Sequence, residues 1–380
     1  PFVMESWTFD RDFMPASIFK CKTKYGMRLE KNFLRNIRHH EILNDDHVCP
    51  DSITMGWHLK VDQFGIEIKM EKAEDKDGFK LGYHVDYPIK DLKDGFSMLK
   101  PAKIAFDREG TMKEKNLLEE TFGDILPVEI RTGNFSICNL TGGMTLLISM
   151  ETFLIAMYDC PEKLLELMGY MRDNAIKVAR FHEREGLLTL NNGNQATCGT
   201  CFNFTTLLPK REVKPGEVKL SDLWVGMNSQ ETVGVSPDMF HELIFPFYRE
   251  LAQMFGLVYW GCCEPVDPIW ETSISKLPGI KAVSISRWCK QEFMAEALDG
   301  KQIVYSRKPN PNIIGVGDSL DEDAWAAEIR STLDLITKKK IPLEFVVRDV
   351  YSLNENLGKA SKAVEIARRE IDKCYGIIKT

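Results

Sequence analysis

No apolar run in this 380-residue sequence approaches the roughly 20 residues that span a bilayer, so a membrane-spanning helix is not expected. Basic residues are not in excess either. Lys and Arg number 49 against 56 Asp and Glu, a formal net charge of -7 that excludes a general nucleic-acid binder. The stretch PFVMESWTFDRDFMP lacks the basic-then-apolar order of a secretory signal, and a cytoplasmic location is expected. The ten cysteines are thinly spread without disulfide-framework spacing, so free thiols are expected; Cys21, Cys49, Cys138, Cys160 and Cys374 suggest no chemistry. No internal repeat, low-complexity tract or glycine-rich phosphate loop is present; GVGDS at 315–319 has too few glycines in the wrong context. His182-Glu183 and His241-Glu242 open like a zinc-peptidase HExxH helix but lack its second histidine, which leaves them as surface residues on helices.

What is present is regular alternation. Residues 1–50 read as helical and charged, and 51–125 as short strand patterns broken by turn signals, together an irregular N-terminal elaboration. From about residue 126, apolar strands alternate with helices. The strand patterns are LPVEIRTGNFSICNL, GLLTLNN, SDLWVGMNSQE, GLVYWGCC, IKAVSIS, KQIVYS and PLEFVVRDV. The helical ones are MTLLISMETFLIAMYD, the segment from Pro161, the segment opened by Ser236-Pro237, KQEFMAEALDG, DEDAWAAEIRSTLDLI and KASKAVEIARREIDKCYG. Continuously apolar strands separated by helices imply a parallel sheet covered by helices, and this number of units favours a single α/β domain built as a (β/α)8 TIM barrel.

In such a barrel, function sits where strands end. The polar strand ends are Asn191 and Asn192; Asn228 to Glu231; Cys262, Cys263 and Glu264; Ser286 to Trp288; Ser306 to Lys308 with Asn310; and Arg348 and Asp349. The stretch YWGCCEPVD stands out. Two thiols and a carboxylate at a strand tip are either buried filler or ligands of a zinc ion with an open position. CGTC at 198–201 reads as an incidental loop pair. His39 and His40 belong to a charged helix, whereas His58 and His84 could reach the pocket. Arg307 or Lys308 would bind an anion or brace the cysteine-bearing strand end.

The stretches YWGCCEPVD, LPGIKAVSISRWC, IVYSRKPNP, LTGGMTLLISMETFLIAMYDCPEKLLELM, LNNGN and DLWVGMNSQETVGVSPDMF together resemble the uroporphyrinogen decarboxylase-like superfamily, over about residues 125–375 and loosely before them. The similarity is greatest to its corrinoid-dependent methyltransferases. It implies a (β/α)8 barrel and one of two chemistries: cofactor-free decarboxylation, or methyl transfer involving a corrinoid protein with zinc near a His-x-Cys strand end. MESWTFDRDFMP lacks the arginine pair of the decarboxylases. At the zinc strand end the histidine is missing: Gly261-Cys262-Cys263 stands there, and Cys263 matches the cysteine ligand.

The resemblance implies a methyltransferase acting on a small methylated substrate, an aryl methyl ether or methylamine, with zinc as Lewis acid. The chain has no Asp-x-His-x-x-Gly segment, so the corrinoid is expected on a partner protein. Metal ligands would be Cys263, Cys262 and Glu231, with Glu231 and Glu264 in proton transfer. Asn192, Trp224, Met227, Gln230, Trp260, Trp288, Arg307, Lys308 and Asn310 would contact substrate, although the aromatic residues equally suit the core. The alternatives are a cofactor-free decarboxylase using Arg307, Lys308 and Glu231, and a non-catalytic subunit that binds a corrinoid protein. A homodimer is left open.

Overall fold

The computed structural model describes residues 1–74, 80–194 and 202–376. CGTC at 198–201 lies outside the described residues. Among the described residues lie twelve strands: β1 (Phe2–Met4), β2 (Ile53–Gly56), β3 (Leu59–Asp62), β4 (Lys69–Glu74), β5 (Lys80–Asp86), β6 (Lys103–Phe106), β7 (Val128–Arg131), β8 (Trp224–Met227), β9 (Leu257–Trp260), β10 (Ile280–Ile285), β11 (Val304–Arg307) and β12 (Leu343–Val347). Six of them form one parallel sheet in the order β1-β12-β11-β10-β9-β8. β2 and β7 form a separate parallel pair, and β3/β6 and β4/β5 are antiparallel pairs in the N-terminal region.

Strand alternation sorts the side chains into two layers. On the inner face Val3, Trp224, Tyr259, Ala282 and Val346 cluster with Leu208. On the outer face Val225, Met227, Val258, Trp260, Val283, Ile285 and Tyr305 pack beneath helices. Phe2, Met4, Phe345 and Val347 meet Trp325, Ile329, Ala360 and Ala367 from the helices Glu322–Ile336 and Gly358–Tyr375. The sheet is curled. Neighbouring strands lie about 4.8 Å apart, so β9 and β12, with two strands between them, would stand roughly 14 Å apart if it were flat. Yet Cys263 Sγ, just past β9, reaches Asp349 Oδ2, just past β12, at 3.2 Å.

The expected closed barrel is met in part, as a six-stranded half-barrel. GLLTLNN, expected as a strand, makes no ladder. Its side chains do the bridging: Thr189 and Thr132 exchange N–H to Oγ1 bonds of 2.9 Å, and the Asn191 amide bonds the N–H and C=O of Trp224 at 2.9 and 3.0 Å. The N-terminal region is helical at Lys24–Arg38, but Phe2–Met4 is a strand where the sequence reads as helical. It joins β12, and Asp45 and Asp46 accept the N–H groups of Met4 and Phe2 at 2.8 Å. MTLLISMETFLIAMYD is not one helix. Ser149 Oγ accepts the Thr152 N–H at 3.0 Å and starts a new helix at Met150.

Candidate active site

The strand tips on the C-terminal side of β1, β8, β9 and β12 converge. β9 ends at Gly261, whose φ of +97° turns the chain so that Cys262 and Cys263 follow side by side. Their Sγ atoms are 3.6 Å apart. Cys262 is buried beside Arg348, whose Nη1 donates to Sγ at 2.8 Å. The Nε of Arg348 donates to Glu5 Oε2 at 2.9 Å, and Glu5 is buried. Burial works against the Arg348 charge, but Cys262 and Glu5 more than offset it. Cys263 is partly open to solvent and its thiol donates to Asp349. The hydrogen bond to Cys262 and burial push the Cys263 thiol well up. Asp349 adopts a left-handed backbone, φ +59°, which aspartate tolerates better than most residues.

Glu264 turns inward. Its Oε2 accepts the Cys262 N–H at 2.9 Å and its Oε1 the Ser229 N–H at 3.2 Å. Burial pushes its carboxyl up to about 7; the neighbouring Cys262 adds to the rise and the backbone N–H groups oppose it. Beyond Ser229 a hydroxyl cluster continues. Thr141 Oγ1 is 3.0 Å from Ser229 Oγ and donates to Glu231 Oε2 at 2.8 Å, and Tyr248 OH lies 3.1 Å from Thr141 Oγ1. Glu231 and Gln230 line a cavity of about 330 Å³ with Gln63, Asn139, Asn228 and Met171. Asn228, Gln230 and Glu231 line this cavity, and the Ser229 between them, which does not, donates its N–H to Glu264.

The remaining candidates fall elsewhere. Met227 and Trp260 lie on the outer face, Trp260 edge-on to Tyr248 and Phe240, so alternation makes them core residues. Trp224 faces inward but begins β8, at the end away from the tips. Arg307 also points outward, to Glu328 at 2.8 Å and to the carbonyls of Ile285 and Ser286. Lys308 points inward and is held by Tyr259 and Ser306 under the sheet's inner face. Asn310 accepts from Arg287, whose guanidinium stacks on the exposed Trp288 at 4.3 Å. Asn192 braces Leu208 O at 2.7 Å. His58 pairs with Glu114, and His84 lies exposed on β5. His182 and His241, expected on the surface, are half-buried and bonded to Val178 O and Ser273 Oγ.

The donor set does not fit zinc. Among the described residues no three His, Cys, Asp or Glu side chains group as metal ligands. A guanidinium occupies the approach to Cys262, both Glu264 oxygens face backbone N–H groups, and Glu231 is turned to Thr141. Sequence reasoning missed Glu5, because it follows a three-residue strand inside a region that reads as helical. It also missed Thr141 and Tyr248, which stand on helices and meet the site only through the fold.

No family model matches the chain, and no curated protein matches it. Among solved structures it is similar to a methyltransferase from Methanosarcina mazei, at 14% sequence identity and a TM-score of 0.47, over 90% of this chain and 85% of that one. At that distance the likeness says nothing of activity.

Proposed function

We infer that the chain is a methyltransferase that takes the methyl group of a small methylated substrate, of the aryl methyl ether or methylamine type, at the C-terminal tips of its parallel strands. A corrinoid on a partner protein would supply the methyl acceptor. The observation that supports this is geometric: Glu264, a buried carboxyl whose protonated form burial favours, accepts the Ser229 N–H from within the Asn228–Glu231 segment that lines the cavity. Removing methyl from oxygen or nitrogen leaves a basic lone pair. A buried carboxyl that favours its protonated form would neutralise it, as a general acid and without a metal, once substrate binding opens a path from the cavity past Ser229. Gln230, Asn139 and Glu231 supply hydrogen bonds that orient the substrate's heteroatom in the cavity. The residues proposed for decarboxylation are less well placed, since Arg307 and Lys308 are both engaged away from the cavity.

The test is a panel of aryl methyl ethers and methylamines incubated with the chain, with and without a reduced corrinoid protein. Demethylation is expected only with both proteins present, and Glu264→Gln should slow it by about 100-fold or more, the usual size of general acid catalysis. Release of carbon dioxide from a carboxylated substrate by the chain alone would overturn the assignment.

A further inference from the structure

We propose that Cys262 and Cys263 form a chelating dithiol site for monosubstituted trivalent arsenicals, compounds with one carbon group on As(III). The two Sγ atoms stand 3.6 Å apart at the strand tips, Cys262 buried and Cys263 partly open to solvent. A disulfide between them is disfavoured by the backbone. Consecutive Cα atoms are about 3.8 Å apart, whereas disulfides take Cα separations of about 4.4–6.8 Å. The free pair, its Sγ atoms 3.6 Å apart, is spaced for an atom to bridge it rather than for a direct S–S bond.

The coordination count selects the atom. Zinc asks for about four protein ligands in a closed site, or three beside an open position. Asp349 Oδ2 stands 3.2 Å from Cys263 Sγ, yet among the described residues no three His, Cys, Asp or Glu side chains group so as to hold a metal ion. An organoarsenical brings its own carbon and needs only two sulfurs, which this loop offers across a single peptide unit. The local charges differ at the two thiols. Arg348 beside Cys262 Sγ is the partner a thiolate takes, and Asp349 faces the Cys263 S–H. The reaction is a condensation. An R–As(OH)2 molecule and two thiols give R–As(S)2 and two waters. Two As–O bonds break, two As–S bonds form, the thiol protons leave in the water, and nothing is oxidised or reduced.

The probe is phenylarsine oxide, incubated with the full chain and followed by intact mass spectrometry. One phenylarsenic unit per chain is expected at this site, carried by the tryptic peptide spanning residues 250–276, which holds only these two cysteines. A small dithiol should strip it and a monothiol at equal sulfur concentration should not, because a second sulfur on the same molecule acts at high effective concentration. Cys262→Ser and Cys263→Ser should each abolish that adduct, with folding checked by circular dichroism. A Cys198→Ser/Cys201→Ser chain should retain it. Absence of the 250–276 adduct in the wild-type chain, or its survival in either serine variant, would overturn the proposal. The peptide mapping decides even if a serine variant fails to fold.

Discussion

Glu264 ties the chemistry to stability. In the unfolded chain a glutamate gives up its proton near pH 4.5, while in the folded chain Glu264 keeps it to about 7. Between those values the folded state binds more protons, so stability is fully present below about 4.5, falls as pH rises towards 7, and levels off above. The shift corresponds to about 3 kcal/mol. Glu264→Gln should remove this slope, seen as urea midpoints that no longer drop between about pH 5 and about pH 8. It should also cost about 1–3 kcal/mol at the acid end, because one backbone N–H would face an amide N–H instead of an oxygen. An unchanged slope would place the proton elsewhere. The stretch CCE was legible as a cluster because three reactive side chains follow one strand. Which atoms they touch was not, since Arg348 and Glu5 come from opposite ends of the sequence.

At the scale of elements, apolar runs such as IKAVSIS and PLEFVVRDV gave strands because both faces are covered. The same runs hid which residues face the site. Trp260 and Cys262 are two residues apart, but the turn at Gly261 separates a core side chain from a strand-tip thiol. GLLTLNN had the composition of a strand, yet its Thr and Asn side chains took over the bonds that a ladder would supply. Gly261 is the element-level test. A Cβ there would stand 3.0 Å from the Ser284 Cβ on a backbone that L residues rarely adopt. Gly261→Ala is expected to cost about 1–3 kcal/mol in strain. It should also displace the dithiol, so the melting temperature and phenylarsenic uptake should fall together. Lowered stability with normal uptake would show that Gly261 shapes the strand end without setting the thiols.

Across the whole molecule, the curl of the sheet turns distant sequence into one site. β1 pairs with β12, their outer faces share a core with the closing helix, and the salt bridge from Glu5 to Arg348 lies just beyond this seam. Both side chains are nearly excluded from water, Glu5 at 1% and Arg348 at 10% exposure. Breaking such a pair from one side leaves a charge in a poor solvent, at a cost of about 3–5 kcal/mol, whereas neutralising both partners costs far less. Arg348→Met should therefore lower stability more than the double variant Glu5→Gln/Arg348→Met does. Guanidinium unfolding of the wild type, both single variants and the double variant closes the cycle. A coupling of about 1–3 kcal/mol is expected if the charges act as a pair. The phenylarsenic measurement separates a second role. Arg348→Met leaves Cys262 without its cation, so uptake should slow in both variants that carry this substitution, including the double variant whose stability recovers. Simple additivity of the two substitutions would show that β1 and β12 are held by their ladder and shared core alone.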